Sequence, residues 1–181
     1  MGGAISHPVV AAALDDDRLV SSAESWLPKT LTFDQDRLVT AIAELIVPAT
    51  DTPGATDAQV NRFVDQLLTD WFDDDDRNRF LAGLADLESS SRVQFERSFL
   101  ELSAAEQIAL LEPLDIAAVE ARIEAARDVG SFEAENLPFF AMMKERTLVG
   151  YYTSEIGMRE ELGYYGFTGT YSGCVPLPEI G

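Results

Sequence analysis

The side chains here whose types and spacing suit chemistry are carboxylates. Thirty-two Asp and Glu stand against thirteen Lys and Arg in 181 residues, a net charge of −19. In so acidic a chain some pair always resembles a catalytic one, but a general acid needs a raised pKa in a dry cleft. Glu145 and Glu155, set in apolar surroundings, are the strongest pair. Lys144 and Arg146 flank Glu145, so an ion pair or a helix-surface position is the plainer account. A free-standing helical enzyme using Glu145 and Glu155 is the alternative reading, and no catalytic residue is assigned.

Other constellations exclude more than they suggest. Asp73 to Asp76 lack the alternating ligands and central Gly of an EF-hand loop. They match a helix start, where carboxylates meet the positive end of the dipole. His7, the single histidine, has no nucleophile at matched spacing. One Cys and one His cannot build a disulfide framework, a CxxCH haem site, a Cys-rich iron–sulfur site or a Cys/His zinc site within one chain. No GxGxxG follows a strand pattern, so no Rossmann-type flavin or nicotinamide site is written here. No cofactor or metal is expected in this chain.

The strongly negative charge argues against nucleic acid and anionic lipid as partners. The length suits one domain with a real core, and no apolar run is long enough to span a bilayer. Residues 1–30, with Pro8 and Pro28, read as an N-terminal arm anchored by Trp26 and Leu27; residues 31–181 read as a single helical domain.

Thr32 and Gln35 form a capping-box pair before a helix with Leu38, Ile42, Leu45 and Ile46 on one stripe, ended by Pro48. Thr50 to Gly54 is a turn by composition. A second capping box, Thr56 with Gln59, opens a helix whose apolar face is Val60, Phe63, Val64, Leu67, Leu68 and Trp71. A third helix runs from Arg77 through Phe80, Leu81, Leu84 and Leu87, weakened by Ser89 to Ser91 and resuming through Phe95 and Phe99. Ser103 with Glu106 caps a helix holding Ile108, Leu111 and Leu114 inside, which Pro113 kinks or splits. Ala117 to Asp128 has high helix propensity and ends at Gly130. Asn136 caps the next helix, with Pro138 in its first turn and Phe140, Met143, Thr147, Leu148 and Tyr151 on its apolar stripe. With no period-two pattern, the fold class is all-α: a bundle of about six helices with an irregular Gly/Tyr-rich C-terminal tail.

The tail carries the recognition signal. Tyr151, Tyr152, Tyr164, Tyr165, Phe167 and Tyr171 are interleaved with Gly163, Gly166, Gly169 and Gly173. Packing on its own bundle is one reading. An interface is favoured, because Tyr joins large contact area to a polar tip and glycines let a backbone lie close to another surface. The interface tail is taken as 151–181, with Glu155 included. Cys174 is an odd thiol: a small free residue in a reducing compartment, or a bond to another chain in an oxidising one.

Three segments resemble the gluconate 2-dehydrogenase subunit 3 family. They are Ile46 to Ala55 (IVPATDTPGA), then Lys144-Glu145, Thr147-Leu148 and Gly150 to Glu155 with Gly157, and last Gly169 to Pro176 (GTYSGCVP). The resemblance runs from Leu31 onward. It implies a non-catalytic small subunit that binds and stabilises a flavin-dependent sugar, glycoside or gluconate dehydrogenase and assists its folding and export. The partner is then a large glucose–methanol–choline flavoprotein holding FAD, with or without an iron–sulfur cluster. A cytochrome c subunit, where present, passes electrons onward. The resemblance also implies a periplasmic location and twin-arginine export. Met1 to Asp17 departs from this: it lacks a basic n-region, and Val9 to Leu14 is a short apolar stretch. Either the signal has been trimmed or export depends on another subunit. In that oxidising setting an intermolecular disulfide from Cys174 to the catalytic subunit is expected. A general helical adaptor without a dehydrogenase partner is the third reading.

Overall fold

The computed structural model describes residues 26–127 and 137–164. The chain is all-helical, with no strand among these residues. Helix α1 (Phe33–Ile46) starts as the sequence predicts. Thr32 Oγ1 accepts from the Gln35 N–H at 3.2 Å, and Gln35 Oε1 accepts from the Thr32 N–H at 2.9 Å. Leu38, Val39, Ile42 and Ala43 are buried, and the helix stops two residues before Pro48.

Helix α2 (Val60–Asp70) does not open with the expected Thr56–Gln59 box. The Thr56 N–H is taken instead by Glu44 Oε2 of α1, at 2.9 Å. Gln59 turns into the left-handed region, φ 54°, and the helix begins one residue later. Val60, Val64 and Leu68 enter the core, but Trp71 is exposed. At the helix end the backbone leaves helical angles, and Phe72 takes the inward place, edge-on to Phe80 with ring centroids 6.3 Å apart.

The Asp73–Asp76 run is a helix start, as expected. Asp73 caps α3 (Asp74–Phe95) by accepting from the Asp76 N–H at 2.8 Å, and the other three carboxylates fill the first turn. Arg77 closes the turn before it, donating to the carbonyls of Leu68 at 2.6 Å and Phe72 at 2.8 Å. The serine run does not weaken α3, which continues for 22 residues. Ser91 is buried, and its hydroxyl donates to the Arg97 carbonyl at 2.8 Å. Phe99 then begins a separate 3-10 turn, Phe99–Glu101, held by a Ser98–Glu101 capping box that the sequence reading missed.

Helix α4 (Ala104–Arg127) starts at the expected Ser103–Glu106 box, with Ser103 N–H donating to Glu106 Oε2 at 2.8 Å. It passes Pro113 unsplit for 24 residues; Ile108, expected inside, is exposed. Gly130 and Asn136 lie outside the described residues. Helix α5 (Phe139–Tyr152) begins after Pro138, which is its cap residue and not part of its first turn. It packs against α1, α2, α3 and α4, so the last α-helix described is the centre of the bundle. Phe139 to Met143, Thr147, Gly150 and Tyr151 are buried along it, and Phe139 meets Phe80 edge-on at 5.3 Å. Leu148 of the predicted stripe lies at the surface.

The arm is anchored differently from the sequence reading. Leu27 is exposed, and Trp26 is half-buried beneath the Arg62 guanidinium, 5.3 Å from the ring centre. The firm anchor is Asp65 of α2, only 2% exposed. Its carboxylate accepts from the N–H groups of Lys29 at 2.8 Å, Thr30 at 3.0 Å and Leu31 at 2.8 Å. These bonds replace the water lost by a buried carboxylate.

Candidate partner interface

The two longest sequence motifs in the described residues, 46–55 and 144–157, meet in space. The first leaves α1 as a tight loop: the Ala55 N–H returns to the Val47 carbonyl at 2.9 Å, and the Thr50 N–H bonds the Thr52 carbonyl at 3.0 Å. Glu44 holds the loop from below, accepting from the Ala49 N–H at 2.9 Å. Burial alone would raise its pKa. The Thr56 hydroxyl, the Ala49 N–H and the Thr56 N–H outweigh that and leave the carboxyl below its ordinary range. Gly54 lies so close to the Glu44 carboxylate and the Ala49 nitrogen that a Cβ would strike both.

The second motif supplies the loop's other wall. Tyr151 Oη donates to the Pro53 carbonyl at 2.6 Å. Burial pushes the phenol's pKa up, keeping it protonated as a donor. Past α5, the Ser154 hydroxyl donates to the Tyr151 carbonyl at 2.6 Å and accepts from the Gly157 N–H at 3.0 Å. A π-helical turn, Gly157–Glu161, follows. Gly157 has to be glycine because a Cβ there would collide with the Tyr151 carbonyl. Glu161 reaches back to the loop and accepts from the Thr52 hydroxyl at 2.6 Å.

The predicted site residues separate on this frame. Tyr151 is 1% exposed and serves the chain's own core; it has no free surface to offer a partner. Its neighbour Tyr152, edge-on to it at 5.2 Å, is exposed, as are Leu162 and Tyr164 beyond the turn. Glu155 is solvent-exposed and pairs with Arg159 at 2.6 Å, not in the apolar surroundings expected for it. Glu145 faces Arg122 of α4 at 2.9 Å and Arg146 at 3.4 Å. The two glutamates therefore answer to different cations and are not drawn into a common acid–base pair. Tyr165, Phe167, Tyr171 and Cys174 lie outside the described residues. Thr52 lies within the Ile46 to Ala55 motif, whereas Glu161 was not singled out from the sequence; their meeting across 109 residues marks it.

Around Asp73 to Asp76 the carboxylates serve as cap, first turn and ion-pair partners of Arg77 and Arg79. Among the described residues no three His, Cys, Asp or Glu side chains are grouped to hold a metal ion. No described helix is long and apolar enough to cross a membrane.

A small acidic all-helical domain whose two motifs lock a loop against its central helix defines the class. The family model for gluconate 2-dehydrogenase subunit 3 matches residues 34–169, and the chain belongs to that family. Comparison with curated proteins gives no match, and comparison with solved structures gives none.

Proposed function

We propose that this chain is the non-catalytic small subunit of a flavin-dependent sugar, glycoside or gluconate dehydrogenase. It binds the large glucose–methanol–choline flavoprotein that holds FAD, stabilises it and assists its folding and export to the periplasm. The observation that carries this reading is the family match together with the joining of its two motifs through Tyr151 and Pro53. That junction makes a fixed base from which Tyr152 and Tyr164 project. The interface continues through Tyr165, Phe167 and Tyr171, and Cys174 forms a disulfide to the catalytic subunit. Mass action supplies the mechanism: a chain that binds only the folded flavoprotein shifts its folding equilibrium.

Co-expression with and without a large flavin-dependent oxidoreductase from the same genome tests it, read by size exclusion and dye-linked sugar oxidation. A co-eluting active complex, with the large chain insoluble or inactive when alone, is expected. A large chain equally soluble and active without its companion would overturn the reading. Thiol titration of the non-reduced complex that finds Cys174 free would remove the disulfide alone.

A further inference from the structure

Helix α4 buries only Leu110, Leu111 and Ala118 of its 24 residues. Part of its outward side is nevertheless apolar. Ile108, Ile116, Val119 and Ile123 are between 45% and 61% exposed. At about 100° per residue they fall in one sector and form a ridge along the helix. A surface helix ordinarily carries polar residues there; one apolar on two sides is built to pack on two sides.

Beside Ile108 the ridge runs into a cleft of about 210 Å3 between α1, α4 and α5, lined also by Ile46 and Phe140. Three charged residues border it. Lys144 is taken by Asp115 at 2.7 Å, whereas Glu112 has no cation paired with it among the described residues. Further along, Glu120 is likewise exposed without a paired cation among those residues. Two copies of this face would bring unpaired carboxylates together, and the whole chain carries −19. The charge favours a partner of opposite sign over a second copy.

We propose that the α4 ridge and its cleft form a docking surface for the catalytic subunit, separate from the aromatic edge at Tyr152 and Tyr164. This rests on the small-subunit reading above. The partner presents apolar side chains to Ile116, Val119 and Ile123. One of its arginines lays its aliphatic stem against Ile108 in the cleft and sets its guanidinium on Glu112.

The test is biolayer interferometry of the full chain against the flavoprotein released from the co-expressed complex under reducing conditions, with hydrogen exchange on the free chain and the complex. Ile116→Asp combined with Val119→Asp should weaken binding at least about tenfold. Glu112→Arg should also weaken it and slow association. Val93→Asp, at an exposed position on α3, is the control and should bind as wild type. All these positions are surface ones, and unchanged melting curves will confirm that the variants fold. Residues 108–123 should gain protection only in the complex. If wild type does not bind the flavoprotein, the small-subunit reading falls and takes this one with it. If wild type binds and the α4 variants bind equally, only the docking assignment falls. Equal losses in the Val93 variant, protection of 108–123 in the free chain, or dimerisation abolished by the ridge variant would each overturn it as well.

Discussion

Tyr151 and Pro53 stand 98 residues apart in the chain, yet the phenol of one donates to the carbonyl of the other at 2.6 Å. The bond ties the central helix to the loop after α1 and replaces solvent for a carbonyl at the edge of the core. Tyr151→Phe should cost about 0.5–1.5 kcal/mol, the net worth of one hydrogen bond. Tyr151→Ala should cost about 3–5 kcal/mol, as large aromatic truncations do. Urea denaturation of both variants checks this. Equal losses would mean that the hydroxyl dominates and packing contributes little, contrary to the geometry.

Asp65 makes a sharper prediction. Removing its carboxylate strands the N–H groups of Lys29, Thr30 and Leu31 at once. Asp65→Ala should destabilise by at least about 1–3 kcal/mol, the cost of one orphaned buried donor, because the Leu31 N–H is buried while those of Lys29 and Thr30 are only part-buried. Asp65→Asn keeps one acceptor and should lose less. Hydrogen exchange at Leu31 should accelerate in the alanine variant. Exchange as slow as wild type would show that the anchor lies elsewhere.

These two contacts mark where sequence reading ends. Apolar stripes gave α1, α3 and α5, and the boxes at Thr32–Gln35 and Ser103–Glu106 were legible because both partners lie three residues apart. Asp65 sits in an apolar stripe, and its partners are 34 to 36 residues away, so no local period flags it. The Thr56–Gln59 pair had the right local form but lost to a more distant acceptor, Glu44. Trp71 was read as core by periodicity, whereas the helix had already ended there. At Pro113 a local break signal was overruled by packing on both sides, Leu110 and Leu111 before it and Ala118 after. Of the site, the aromatic residues were visible by composition, but the burial of Tyr151 and the Thr52–Glu161 bond required the fold.

Gly157→Ala tests the close approach past α5. The added methyl would meet the Tyr151 carbonyl, a backbone atom that cannot swing aside. A loss of about 1–3 kcal/mol is expected, the range for overpacking. An unchanged melting temperature would show that the π-helical turn relaxes freely.

Glu44 predicts an acid dependence. Its folded pKa lies below the ordinary value near 4.5. Its contribution to stability is therefore complete above that value and is lost as the pH falls through the lower, folded one. As the pH falls through 4.5 the unfolded chain takes up this proton first, so stability falls with acidification until the folded carboxyl is protonated as well. Glu44→Gln should melt lower at neutral pH and show a shallower fall across that window. Parallel melting curves for wild type and variant would contradict the assignment.

The position of α5 has a consequence for synthesis. The helix that α1, α2, α3 and α4 all pack against begins only at Phe139. A nascent chain stalled before that point has the surrounding helices but no centre for them, leaving Val39, Ile42, Phe80 and Leu84 without their seat. Translation order and packing order thus run opposite ways. The bundle therefore cannot close until α5 has been made, and until then the apolar faces of α1 to α4 lack their common contact.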